Sequence, residues 1–447
     1  MSSPKLLVLN VVGLSPSLIG EHTPRLKAFQ NDHGLATIDP AFPAVTCTAQ
    51  TNYLTGKTPA DHGIVGNGWY FRDTAEVRLW QQADALVQSP RLWDDLEREG
   101  ISTANLFWWY AMYCGAGQTV TPRPMYPADG RKVPDVWTHP PALRDELQRE
   151  LGQFPLFKFW GPMAGIDSSA WIAKATTRIS ADVKLVYLPH LDYALQKFGP
   201  GTPEANEACK AVDAEVGMLL DHAGDASVVI LSEYGIEPAT TPVHINRVLR
   251  EAGLMTVRSE LGLERLDAGA SRAFAVADHQ IAHVYVRDVG DVALVKTMLE
   301  QTPGVDRVLD SGGKREMGID HERSGELIAI ADAGAWFTYY YWLDDAVAPD
   351  YARTVDIHRK PGYDPVELFT DRSPLAIGWK LAKKKAGLRS LLDVIALDAN
   401  LVRGSHGRTA VEASHRPVFL TNRPSAMNGD AVASTDVCKA IRRLARA

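Results

Sequence analysis

The 447-residue chain has only four cysteines, Cys47, Cys114, Cys209 and Cys438, and no CxxC pair among them. Thiolate zinc sites need such spacing, so these read as free buried or half-buried thiols. No apolar run approaches the ~20 residues of a membrane span. The opening MSSPKLLVLNVVGL lacks a basic segment, a long apolar stretch and a cleavage site, so it reads as a first core strand and not a signal peptide. A cytoplasmic protein is expected. Nor is there an excess of basic charge: Lys+Arg total 47 against 54 Asp+Glu, a formal net charge of −7. A mildly acidic surface disfavours nucleic-acid polymers and anionic membranes, while a local basic pocket stays open. Internal repeats and low-complexity linkers are absent too. What remains, 45% hydrophobic and 23% charged residues, is the composition of a globular protein with a large core.

Three apolar runs organise the chain. Lys5 to Val12 ends at Gly13, Val183 to Leu188 at Pro189, and Ser227 to Leu231 at Ser-Glu-Tyr-Gly. Such continuous runs suit strands buried on both faces of a parallel sheet. Between the last two, Ala208, Cys209, Val212, Val216, Leu219 and Leu220 recur at helical spacing over Ala205 to His222. Leu92 to Gly100 and Ile245 to Gly253 read as helices stopped by glycine. Ala282 to Val286, Leu327 to Ala331 and the aromatic run Trp336 to Leu343 read as strands. The Pro-, Gly- and Trp-rich stretch from about 110 to 165 reads as an irregular loop or cap. In parallel sheets, sites form beyond the carboxyl ends of the strands, which directs attention to Val12-Gly13, His190-Leu191-Asp192 and Glu233-Tyr234.

Thr46 is a small hydroxyl before a helix-compatible stretch ending at Gly56. It sits either as an N-cap or at the positive end of a helix, where a phosphoryl group is favoured. Pro43, Thr46, Thr55, Gly56, Pro59, His62, Gly63, Ile64 and Asn67 together resemble the nucleophile region of the nucleotide pyrophosphatase/phosphodiesterase branch of the alkaline phosphatase superfamily. Thr23-Pro-Arg-Leu, Val243-His-Ile-Asn-Arg-Val-Leu-Arg-Glu-Ala-Gly-Leu254 and Gly404-Ser-His-Gly407 resemble further motifs of that branch, in the expected order.

The resemblance implies an alkaline-phosphatase-like α/β fold, with a mostly parallel sheet flanked by helices. The core is expected from 1–250 and 390–447, with an inserted subdomain at 251–389. It also implies a Thr nucleophile and two divalent ions about 4 Å apart that polarise the phosphoryl group. Carried over residue by residue, Thr46 matches the nucleophile, and Asp192 and His406 match metal ligands. Gln196 stands where a His ligand is expected. Glu233 and Tyr234 replace an Asp-His pair, Val12 replaces an Asp, and Ala49 replaces a phosphate-contacting Asn. One surviving oxygen-rich site would suit Mg²⁺ or Mn²⁺ better than zinc. A rebuilt site would draw on other histidines: His190, the Asp278 to His283 segment, or Asp356-Ile-His358, whose period-two spacing puts both groups on one face of an extended segment. Nearby Arg353, Arg359, Lys360, Arg403 and Arg408 are candidate anion contacts.

The leading expectation is therefore metal-dependent hydrolysis of a phosphodiester or pyrophosphate-type bond in a small phosphorylated metabolite. Thr46 would attack phosphorus, Glu233 would be a ligand or base, and Tyr234 would orient the leaving group. The alternatives are a non-hydrolytic metal-assisted isomerase or transferase on a phosphorylated or polyol metabolite, and a binding homologue without turnover.

Overall fold

A computed structural model describes residues 4–385, 391–426 and 429–447; the expected boundary at 389/390 lies outside them. Nine strands form the central sheet, in the spatial order Ala431–Ala433, Ala36–Asp39, Val418–Thr421, Ser227–Leu231, Leu6–Val11, Val183–Leu188, Thr103–Leu106, Gln118–Pro122, Val136–His139. The five strands from Ser227–Leu231 to Gln118–Pro122 pair in parallel. Val418–Thr421 and Val136–His139 join antiparallel at either side. The three apolar runs are thus the adjacent central strands. Every residue of all three is buried, because helices cover both faces of the sheet.

Register brings their carboxyl ends level. Asn10 lies opposite both Tyr187 and Leu231, so Glu233 and Tyr234, just beyond Leu231, stand at the same edge as Asp192. The His190–Phe198 and Pro203–Ala223 helices connect Val183–Leu188 to Ser227–Leu231, which pair in parallel on either side of Leu6–Val11. The N-cap of the second, Thr202, accepts a hydrogen bond from the Ala205 amide, and Pro203 opens its first turn.

A second, antiparallel sheet has the order Ala273–Asp278, Ile281–Val286, Leu327–Ala331, Val305–Leu309. Its own apolar core includes Trp336, Phe337, Tyr339, Tyr340, Tyr341 and Trp342.

Two stretches differ from expectation. Part of 110–165 is regular: Gln118–Pro122 and Val136–His139 extend the central sheet, and Ala142–Leu151 is a helix. Their polar residues and flanking prolines conceal two short strands, of which Val136–His139 is the sheet edge. Of Trp336 to Leu343, only Trp336 and Phe337 belong to a strand, Ala335–Phe337. Beyond it the rings pack on one another, Tyr339 against Tyr340 and Trp342, and do not alternate across a sheet.

The short strand Gly404–Ser405 carries His406 against the helix bearing Asp192. It fits because residue 404 has no side chain: a Cβ there would run into the Leu195 carbonyl oxygen and the Ile236 side chain. Gly404→Ala should therefore lower stability by about 1–3 kcal/mol, the usual cost of overpacking, seen as a fall in the thermal midpoint. An unchanged midpoint would contradict the close approach.

Candidate active site

Thr46 is the first residue of a helix, Thr46–Thr55, in which all ten residues are buried. Val45 is the extended residue before it, and Gly56 ends it in the left-handed conformation. Thr46 does not cap the helix. Its hydroxyl is 3.2 Å from the Tyr234 hydroxyl, which donates at 3.1 Å to Asp192 Oδ1. Asn67 Oδ1 accepts from the Cys47 amide and pins the first turn. His62, matched in the sequence as a motif residue, is buried beside the far end of this helix, 2.8 Å from Asn52.

Asp192 and Gln196 stand four residues apart on the His190–Phe198 helix, hence on one face. Gln196 Nε2 donates to Asp192 Oδ2 at 2.7 Å, and its Oε1 accepts from the Tyr363 hydroxyl at 2.8 Å. A single buried chain of hydrogen bonds therefore runs Thr46–Tyr234–Asp192–Gln196–Tyr363. Burial drives the Asp192 carboxyl up to about 7, against the opposing pull of Tyr234 and Gln196.

Glu233 lies on the other side of Tyr234 in sequence and is fully buried. Its Oε1 accepts from Asn10 Nδ2 and from Gln50 Nε2, both at 2.6 Å, and Gln50 Oε1 accepts from the Trp109 amide at 2.7 Å. Burial drives this carboxyl up to about 8, with Gln50, Asn10 and Thr46 pulling the other way.

Four rings form a continuous stack beside these carboxylates. Tyr234 lies on His406, with ring centres 3.4 Å apart and planes at 7°. His406 meets His279 at 3.7 Å, and His279 meets Tyr363 at 3.7 Å. His406 Nδ1 is 2.8 Å from the Ala44 carbonyl oxygen, so Nδ1 carries the proton and Nε2 is the free acceptor, 3.9 Å from Asp192 Oδ1.

The structure thus gathers Thr46, Asp192, Gln196, Glu233, Tyr234 and His406 at one strand edge. Asp356 and His358 make their contacts elsewhere. Asp356 pairs with Arg359, and His358 Nδ1 is 3.3 Å from the Leu79 carbonyl oxygen. His190 opens the Asp192 helix but takes a different face, toward Tyr193. Three of the five candidate cations are paired outside the cluster, Arg359 with Asp356 among them. Lys360 is buried between Asp364 and Glu367, and Arg408 pairs with Asp306. Gln50 and Tyr363 belong to the site without having been singled out. Gln50 is signalled only by its four-residue spacing from Thr46, and Tyr363 by nothing local.

The donor set does not fit a pair of divalent ions. Gln196 spends both amide atoms on Asp192 and Tyr363, Val12 has no ligating atom, and the Tyr234 ring covers one face of His406. Glu233 Oε1 already takes two amide donors. Among the described residues, no group of three or more His, Cys, Asp or Glu side chains is arranged to hold a metal ion.

This fold, with a hydroxyl nucleophile candidate at a helix start, defines a class of phosphoester hydrolases. Residues 6–364 match the type I phosphodiesterase/nucleotide pyrophosphatase family, and the chain belongs to that family. Human ectonucleotide pyrophosphatase/phosphodiesterase family member 7 is 26% identical over 228 residues, covering 48% of this chain. The chain spans less than half of that relative, 43% of its length. Phosphonoacetate hydrolase from Sinorhizobium meliloti, solved with phosphonoformate, superposes with a TM-score of 0.64 at 16% identity, over 99% of this chain and 96% of that one. Murine ectonucleotide pyrophosphatase/phosphodiesterase 5 in complex with AMP superposes at 0.59 and 14% identity, over 99% and 95%. The resemblance read from the motifs is therefore the right one, and the alkaline-phosphatase-like fold is confirmed. Among the described residues no helix is long and apolar enough to cross a membrane.

The raised Glu233 carboxyl makes stability depend on pH with a definite sign. A folded-state value of about 8 against an ordinary 4.5 means the folded chain keeps a proton that the unfolded chain has lost. Stability then falls as pH rises between those two values. Glu233→Gln removes the titration while retaining an acceptor for Asn10 and Gln50. The variant should gain on the parent by up to a few kcal/mol near pH 8 and by little near pH 5, measured as the difference in thermal midpoint. A difference that does not grow with pH would remove Glu233 as a buried neutral acid.

Proposed function

We propose that the chain hydrolyses a phosphodiester or pyrophosphate-type bond in a small phosphorylated metabolite, with Thr46 as nucleophile. The observation that carries this reading is the chain Thr46–Tyr234–Asp192 at the amino end of a buried helix. Thr46 Oγ1 attacks phosphorus, its proton passes to the Tyr234 oxygen, and the Tyr234 hydroxyl proton passes to Asp192. A base with a value near 7 suits that task at neutral pH. Glu233, neutral at that pH, supplies an acid proton for the departing oxygen. The positive end of the helix offers an electropositive seat for the phosphoryl oxygens, with the Cys47 amide itself already held by Asn67.

The metal dependence suggested by the family is not used in this scheme, because the donor set does not suit the two ions. A small substrate fits the deep placement of Thr46, which is 3% exposed, and the overall charge of −7. The structural neighbours bind small ligands of this chemistry, AMP in one case and phosphonoformate in the other.

Thr46→Ala should abolish turnover of bis(4-nitrophenyl) phosphate. Tyr234→Phe keeps the ring stack but breaks the relay, and should lower kcat by about 10²–10⁴-fold with little change in KM. Unchanged activity in Thr46→Ala would sink the nucleophile assignment. The burial of Thr46 also favours one rival reading, a binding homologue. In that case neither the parent nor any variant turns over, while ligand affinity survives Thr46→Ala.

A further inference from the structure

The turn joining Ala273–Asp278 to Ile281–Val286 belongs to the second sheet, yet its tip reaches the Thr46 site. Asp278 pairs with Ile281, leaving His279 and Gln280 as a two-residue hairpin loop. His279 has φ +62°, a conformation that hairpins of this length normally give to Gly or Asn. A histidine held there is a cost that surrounding contacts must offset, and such strain concentrates at functional positions. The offsetting contacts are visible. The Gln280 amide donates to the His406 carbonyl oxygen at 2.9 Å, and the Phe337 amide donates to the His279 carbonyl oxygen at 2.8 Å.

The side chain is oriented just as firmly. His279 Nδ1 lies 2.8 Å from Asp278 Oδ1. Asp278 is itself fixed by the Asn67 backbone amide at 2.8 Å and the Asn67 side-chain amide at 3.0 Å. The Nδ1 proton therefore points at Asp278, and Nε2 is left as a lone pair. That Nε2 is buried without a hydrogen-bond partner on a residue only 3% exposed. His279 is sandwiched between Tyr363 and His406, and the His406 ring alone separates it from Tyr234. A carboxylate that orients an imidazole through Nδ1 and leaves Nε2 free is the geometry of a general base.

We infer that Asp278 and His279 form a base dyad for the second half-reaction, in which water releases the phosphoryl group from Thr46. The inference rests on the Thr46 reading above. Water oxygen bonds to phosphorus and one water proton moves to His279 Nε2. The phosphorus–Thr46 oxygen bond breaks, and Thr46 Oγ1 regains a proton from Tyr234, which takes one back from Asp192. The His279 proton then leaves to solvent, and Glu233, which gave its proton to the departing oxygen, takes one back from solvent before the next turnover. Asp278 acts as a positioning residue and His279 as the base that touches the attacking water.

The test uses the full-length chain and bis(4-nitrophenyl) phosphate in pre-steady-state mode. His279→Gly removes the imidazole and suits the positive φ, so the fold is spared the strain. His279→Gln retains bulk as a second variant. Each should release one equivalent of nitrophenolate per chain and then turn over at least about 100-fold more slowly. Intact mass and peptide mapping should find a nitrophenylphosphoryl adduct on Thr46. Added imidazole should restore turnover in His279→Gly, an effect that a packing role would not produce. Parent-like steady-state turnover without adduct in both variants overturns the dyad and leaves the Thr46 reading standing. Slow turnover without adduct or imidazole rescue overturns the dyad as a base. Absence of burst and adduct in every form, with Thr46→Ala matching the parent, overturns the Thr46 reading and this inference with it.

Discussion

The site is governed by one constraint: two carboxyl groups are buried a few ångströms from Thr46, and among the described residues no Lys or Arg side chain meets either one. Isolated buried charge is prohibitive, so each group must be neutralised by protonation or held by donors. Both devices are present. Asn10 and Gln50 converge on one oxygen of Glu233, and Tyr234 and Gln196 take one oxygen each of Asp192. The donors are neutral, so they only partly compensate burial, and both groups titrate near or above neutrality. The same compromise that lets the fold keep these residues leaves one a base and the other an acid at neutral pH.

That compromise also sets the rigidity of the site. Hydrogen bonds shared along Thr46–Tyr234–Asp192–Gln196–Tyr363 couple the Thr46–Thr55 helix to the end of the matched region. The ring stack couples the two sheets through His279 and His406. No one element could move without leaving a buried polar atom unpaired, which costs about 1–3 kcal/mol each.

The architecture was legible where physics acts locally. Strands buried on both faces produce continuous apolar runs, and the runs ending at Leu188 and Leu231 end where the strands do. The positive-φ stop at Gly56 marks the end of the Thr46 helix from sequence alone. Short strands such as Gln118–Pro122 and the edge strand Val136–His139 were not legible, because four or five residues bounded by proline and polar side chains make no apolar run. Within the site, the family motifs bring Thr46, Asp192 and His406 to notice. The partners that decide their chemistry are recorded in no local spacing. Asn10 meets Glu233 across 223 residues and Tyr363 meets Gln196 across 167. Asp356 and His358 do not share a face of an extended segment, because residues 357–359 form a turn; the two groups serve an Asp–Arg pair and a backbone carbonyl.

The departures from the family pattern are interdependent. Tyr234 lies flat on His406 where a second imidazole ligand is expected, and its hydroxyl reaches both Thr46 and Asp192. Glu233, one methylene longer than Asp, reaches the Asn10 and Gln50 amides. Restoring an Asp at Val12 alone would add a third buried carboxyl to a site already short of positive charge, and restoring a His at Gln196 alone would take a donor from Asp192 and an acceptor from Tyr363. Each single reversion would therefore disturb the buried hydrogen bonds of this site. Replacements of this kind persist as a group because the buried charge balance is satisfied only by all of them together. The same logic gives the Thr46 hydroxyl a structural role: it completes the hydrogen-bond chain on which Tyr234 and Asp192 depend.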